Sequence, residues 1–273
     1  MRYQSAMTKL EPNRDIATLA EVVRRLRDPK AGCPWHHKQT FETIAPYTIE
    51  EAYEVAGAIE DRDWIGLKDE LGDLLFQVVY HSRLAEERGY FALGDVVEAV
   101  SAKMIRRRSD IFGGDGPGPD GLWEAAKAAE RAAKGQTGTL DGVSRALPAL
   151  SRADKLQKRL SSVGFDWNSA KLVLDKIVEE AGEIVEAQAS GASHAELEGE
   201  VGDLLFVIAN LARHLKVDPE AALRTTNSKV TRRFAWIEAE LAKAGRKPTD
   251  AALDELEALW TRAKTEAQEE TKP

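Results

Sequence analysis

Two glutamates three residues apart, answered on a later segment by a glutamate and an aspartate three apart, make a set that suits hard cations. The sequence carries that set as Glu180, Glu183, Glu200 and Asp203. Residues at i and i+3 share one face of a helix, so each pair presents two carboxylates on one side. Four carboxylates brought together repel, and they need a cation or protons to be tolerated. An all-oxygen set suits Mg²⁺, with Mn²⁺ as the alternative. Di-iron bundles use Glu-x-x-His instead, and none of His36, His37, His81, His194 or His214 lies three residues after a glutamate of either pair.

A lone ExxE is most often a solvated helix face, so the surroundings have to separate this set from that reading. Ile177, Val178, Ile184 and Val185 flank the first pair, and Leu204, Leu205 and Phe206 follow the second. The expectation is that the acids sit at the edge of a bundle interior, with Leu204, Leu205 and Phe206 anchoring their helix. Gly202 costs the helix roughly 1 kcal/mol relative to alanine, and the expectation is that it admits a close neighbouring helix. The set also recurs, as Glu51, Glu54, Glu70 and Asp73. The gap from Glu54 to Glu70 is 16 residues and that from Glu183 to Glu200 is 17.

Cations follow in both copies. Lys229 and Arg233 are four apart on one helix face, and so are Lys103 and Arg107. Such cations could bind a polyphosphate on the side away from a metal, and they fit an ordinary basic helix face equally well. Trp260, in LWTRAK, and Trp123, in LWEAAK, could each stack on a base or pack in a core. One position distinguishes the halves. Lys176 precedes Glu180 by four residues, on the same face, whereas Tyr47 holds the equivalent position before Glu51.

Helices must position all of these groups. Apolar periodicity predicts helices over 16–27, 46–59, 64–88, 93–109, 121–133, 151–160, 170–189, 195–215, 219–244 and 251–268, and strand alternation is missing. The fold class is read as all-α, with tandem duplicated helical bundles. The polar stretch at 190–193 favours an antiparallel hairpin that brings the two acid pairs face to face. Glycine and proline in GGDGPGPDG (113–121) and GQTGTLDG (135–142) mark loops. The expected organisation is a first repeat over 1–112, a linker with a short helix over 113–150, and a second repeat over 151–273.

A net charge of −8 argues against a generic nucleic-acid binder, and no apolar run approaches the ~18 residues of a membrane span. Cys33 is the single cysteine, which rules out an intrachain disulfide. Together with an N-terminus that lacks an apolar signal region, this points to the cytoplasm. There is no GxxxxGK[ST] phosphate loop.

With these motifs in order, the chain resembles the MazG family of nucleoside triphosphate pyrophosphohydrolases. The likeness rests on GCPW (32–35) with the following QTFETIAPYTIEEAYEV, on EExxE…ExxD in both halves, and on KxxRR and LW after each. The resemblance implies tandem all-α domains, a homodimer, Mg²⁺ dependence, and cleavage of nucleoside triphosphates to monophosphate and pyrophosphate. It implies Glu180, Glu183, Glu200 and Asp203 as metal ligands, Lys176, Lys229 and Arg233 on phosphates, and Trp260 on the nucleotide. The family credits activity to the second repeat. The first repeat keeps Glu51, Glu54, Glu70, Asp73, Lys103, Arg107 and Trp123, so its own status stays open. Glu196 stands where a basic residue is expected, and no phosphate contact transfers there. Two alternatives remain: a pyrophosphatase restricted to a non-standard or deoxy nucleotide such as dUTP or dCTP, and a non-catalytic helical regulatory scaffold.

Overall fold

The computed structural model of the chain describes residues 9–113 and 119–269, without the side chains of 119–125 and 267–269. Those residues form twelve α-helices and one 3₁₀ turn, with no strand among them. The chain divides into two compact units, Met1–Ala129 and Glu130–Pro273.

In the first unit, α1 (Ile16–Leu26), α2 (Pro34–Lys38), α3 (Phe41–Glu60), α4 (Trp64–Glu87), α5 (Leu93–Arg107) and α6 (Ser109–Phe112) follow in order. Helix α7 (Pro119–Ala133) runs across the division. Asp63 caps α4 by accepting from the backbone N–H groups of Ile65 and Gly66. That cap turns the chain back after only three residues, so α3 and α4 form an antiparallel hairpin. The side-chain pairs confirm the direction: Thr48 Oγ1 lies 2.9 Å from His81 Nε2, and Gln77 Nε2 lies 3.3 Å from Glu51 Oε1. Val23, Ile44, Val79, Tyr80 and Leu84 form the core, with Phe41, Phe76 and Leu93 packed against it.

Helix α3 begins five residues before the predicted start at Pro46. Thr40 and Thr43 cap each other reciprocally, and a satisfied cap outweighs the preference of proline for the first helical turn. Helix α5 ends at Arg107 rather than Ser109, because Arg108 leaves helical geometry at φ −126°, ψ 47°. Helix α2 was not foreseen. It lies in the GCPW segment and is held by Arg27, which is only 5% exposed. The Arg27 guanidinium donates to Glu87, to the carbonyls of His36 and Gln39, and to the Tyr80 hydroxyl. Gly32 is required here, since a Cβ would meet the carbonyl oxygens of Arg25 and Leu26 at 2.6 Å.

The second unit contains α8 (Ala149–Ser161), α9 (Ala170–Ser190), α10 (His194–His214), α11 (Pro219–Lys243), the 3₁₀ turn Pro248–Asp250 and α12 (Leu253–Glu269). Gly191, at φ 74°, ends α9 in the left-handed conformation that glycine adopts most easily. Ser193 and Glu196 then form a capping box that starts α10. Helix α10 packs against both α9 and α8, and α11 packs against α12 and α8. Val173, Val207, Ala209, Ile237, Leu241 and Ala263 are buried.

Two packing expectations are overturned. Leu205 is 47% exposed, whereas Leu204 and Phe206 are half-buried. Successive helix residues point about 100° apart, so three in a row cannot all face one core. Val178 (73% exposed) and Val185 also face outward. Among the described residues nothing lies within 4 Å of where a Cβ of Gly202 would stand, so none of the described helices approaches it closely.

Candidate metal and nucleotide site

The α9–α10 hairpin brings acids from two helices to one place. One carboxylate oxygen each from Glu180, Glu200 and Asp203 lies within 4.8 Å of the others. Glu180 is 5% exposed, Glu200 is half-buried and Asp203 is exposed, so the cluster opens from the helix interface to solvent. Glu183 is exposed beside them. Burial pushes its carboxyl up, and the charges of Glu180 and Glu200 push it further, against the pull of Lys176. Lys176 Nζ lies 2.7 Å from Glu180 Oε1 and 2.8 Å from Glu179 Oε1. The hydrogen bonds to Glu179 and Glu180 raise the lysine well above its ordinary range, so it stays charged.

The α3–α4 hairpin repeats this geometry. Glu51, Glu70 and Asp73 place one carboxylate oxygen each within 4.8 Å of one another. Burial raises the Glu51 carboxyl, opposed by the Gln77 hydrogen bond and reinforced by Asp73 and Glu54. Burial likewise raises Glu70, with Glu54 and Asp73 adding to it. Glu54 acts on Glu51 and Glu70, and Glu183 feels Glu180 and Glu200, but neither joins the trio of its own unit, so each expected four-acid set converges as three.

Both clusters fit a hard divalent cation. Neighbouring ligand oxygens at about 2.1 Å from Mg²⁺ stand about 3 Å apart, and three carboxylate oxygens gathered within 4.8 Å can close on such an ion by side-chain rotation. The elevated carboxyls are also what a cation would relieve.

The downstream cations do not pair directly with the acids. Lys229 and Arg233 are half-buried on α11 and form no ion pair with them. The Arg233 guanidinium lies 5.5 Å from the ring centroid of Trp260 on α12, so these two expected substrate contacts meet each other. Lys103 and Arg107 are half-buried on α5, which packs on α4. The Trp123 side chain lies outside the described residues. The Glu196 carboxylate accepts from the Ser193 backbone N–H as half of the α10 capping box, a structural task that accounts for an acid there.

Gln77 was missed in the sequence. It interrupts the apolar run LLFQVV, which reads as ordinary core, and its equivalent in the second half is Val207. It is 7% exposed, and its amide reaches the acid cluster.

The duplicated acid-bearing segments have sequence counterparts in known proteins. The MazG nucleotide pyrophosphohydrolase domain matches residues 39–112 and 168–237, one match on each acid-bearing hairpin. A nucleoside triphosphate pyrophosphohydrolase from Escherichia coli (strain K12) is 45% identical over 254 residues, covering 91% of this chain and 97% of its own. The nucleoside triphosphate pyrophosphohydrolase/pyrophosphatase MazG of Thermotoga maritima is 42% identical over 247 residues, covering 90% and 94%. The crystal structure of a MazG-related protein from Thermotoga maritima covers 41% of this chain and 98% of its own, at 26% identity and a TM-score of 0.35. Two family domains and full-length relatives, falling on the same duplicated acids, place this chain in the MazG nucleotide pyrophosphohydrolase family.

Proposed function

We propose that the second-unit cluster is the centre at which this chain hydrolyses nucleoside triphosphates to nucleoside monophosphate and pyrophosphate, with Mg²⁺ as the ion. The observation that carries this reading is the convergence of Glu180, Glu200 and Asp203 within 4.8 Å, beside a lysine held against Glu180. Glu180, Glu183, Glu200 and Asp203 would hold the ion. When bound, it supplies charge neutralisation of the triphosphate and a more acidic water.

The chain's own groups do the rest. Lys176, already charged at the rim of the cluster, meets phosphoryl oxygens as negative charge builds on them at the α–β linkage. Glu183, exposed beside the trio, is the carboxylate assigned to accept a proton from the attacking water. Lys229 and Arg233 are assigned to the departing pyrophosphate, and Trp260 to the nucleotide. In the first unit, Glu51, Glu54, Glu70 and Asp73 form a second cation set, with Lys103, Arg107 and Trp123 as its counterparts.

The same reading includes a homodimer, supported by apolar side chains exposed on the acid-bearing helices: Val178 on α9, and Val201, Leu205 and Ile208 on α10. It also includes repeats over 1–112 and 151–273 and a cytoplasmic location, the latter supported by the free thiol of Cys33. Among the described residues no helix is long and apolar enough to cross a membrane.

The test is to incubate the protein with a panel of ribo- and deoxynucleoside triphosphates and Mg²⁺ and resolve the products. Monophosphate with pyrophosphate is expected, and Asp203→Asn should lower turnover at least a hundredfold, in the range of losing one group that stabilises transition-state charge. Diphosphate with orthophosphate would overturn the reading.

A further inference from the structure

Helices α11 and α12 meet through a reciprocal pair of cation–π contacts. The Arg262 guanidinium of α12 lies 5.2 Å from the ring centroid of Trp236 on α11, and the Arg233 guanidinium of α11 lies 5.5 Å from that of Trp260 on α12. The two arginines differ in what else they touch. Arg262 also has acids nearby, Glu240 at 3.9 Å and Glu266 at 3.7 Å. Arg233 has no acid partner among the described residues, and its Nε is buried without a hydrogen-bond partner.

A ring face answers the charge of a guanidinium but leaves its N–H donors without acceptors. Half-buried and short of acceptors, Arg233 is suited to an anion that arrives from outside. While it rests on Trp260 it also covers one face of that ring, so whatever draws the arginine off exposes a stacking surface. A charge-assisted bidentate contact with phosphate competes well against a ring. A base alone brings no charge to compete with.

We propose that Arg233 is a latch on Trp260 that sets specificity for the length of the phosphate tail: the pyrophosphoryl end of a nucleotide draws the guanidinium off the ring, and the uncovered face takes the base. The proposal rests on assigning Arg233 to the pyrophosphoryl group and Trp260 to the nucleotide. A triphosphate opens its own base site. A nucleoside monophosphate lacks that end, meets a ring already covered by Arg233, and binds weakly. Arg262 is no such latch, because Glu240 and Glu266 answer its charge whatever binds.

The experiment measures binding of nucleoside monophosphates, ribo- and deoxy- with each base, to the full-length protein by isothermal titration calorimetry at fixed free Mg²⁺, with and without saturating pyrophosphate. Pyrophosphate should tighten monophosphate binding roughly three- to thirtyfold, the span of one cation–π pair. By linkage, the monophosphate should tighten pyrophosphate binding by the same factor. Arg233→Met should tighten monophosphate binding to a similar extent on its own and abolish the effect of pyrophosphate, while lowering kcat/KM for the triphosphate. An arginine that only contacts phosphate predicts no such gain, and a merely structural one predicts a loss. Arg262→Met should leave the synergy intact. Monophosphate affinity that pyrophosphate does not change overturns the latch without any variant, as does a protein that binds no monophosphate in either condition. A folded Arg233→Met protein that gains no monophosphate affinity overturns it as well. Release of diphosphate and orthophosphate from triphosphates would sink the hydrolysis reading alone, because the binding synergy is read without turnover, so the two readings fail separately.

Discussion

At the scale of single residues, Lys176 is the sharpest difference between two otherwise matched acid sets. Its ammonium lies against Glu180, a carboxylate that is almost wholly buried. Replacing it with methionine keeps the length of the stem and removes the charge. Lys176→Met should lower kcat/KM for nucleoside triphosphates about a hundredfold, the usual order for one group that stabilises developing charge. It should also tighten nucleotide-free Mn²⁺ binding at the second cluster, because the acids lose their competing cation. Unchanged kcat/KM would remove the lysine from the site. The acid pairs and this lysine were legible in the sequence because i, i+3 and i, i+4 spacings are local. Gln77 was not, because its meaning depends on a contact with Glu51 across a helix pair. The meeting of Arg233 with Trp260 depends likewise on α11 packing against α12.

At the scale of elements, most helices were legible because their caps and apolar periodicity agree. Asp15, Asp63, Ser169, Ser193 and Asp218 each accept from the first turn of the helix they precede. The five-residue helix α2 had no periodicity to read; the Arg27 network holds it, and that network joins residues far apart in the chain. Arg27→Ala should therefore destabilise the first unit by about 3–5 kcal/mol, the cost of leaving half of a buried ion pair behind. Thermal or urea unfolding followed by circular dichroism measures it, and a change within about 0.5 kcal/mol, the usual range of surface substitutions, would refute the role. The partner supplies a pH signature. Burial pushes the Glu87 carboxyl up, but hydrogen bonds from Arg27 and the charges of Arg27 and Arg83 outweigh it and hold the group below its ordinary value of 4.5. A depressed carboxyl adds stability that is complete above its unfolded pKa and is lost as pH falls through its folded pKa. The melting-temperature gap between wild type and Glu87→Gln should be widest near neutrality and close below about pH 4.5. A gap independent of pH would show that the carboxylate charge contributes nothing.

At the scale of the whole molecule, the chain leaves its acid-bearing helices half covered. Glycine at 202 is unexplained by the described residues, among which its Cβ would touch nothing. Val201, Leu205 and Ile208 lie around it, exposed. An alanine there should stabilise an isolated helix by roughly 1 kcal/mol. The glycine makes sense if a second copy covers this face and its backbone comes close. Leu205→Glu decides the matter. On a free surface the substitution is nearly silent, because the leucine is 47% exposed already. Within a dimer interface it buries an unpaired carboxylate, which costs several kcal/mol. At 1.4 kcal/mol per tenfold, that raises the dimer dissociation constant by roughly a hundredfold or more. Sedimentation velocity over a range of concentrations should show a dimer for the wild type and dissociation for Leu205→Glu at concentrations where the wild type holds. Gly202→Ala should weaken the dimer in the same experiment while raising the helix's own stability. A wild-type monomer at every concentration, or a Leu205→Glu protein that sediments as the wild type does, would take the partner off this face.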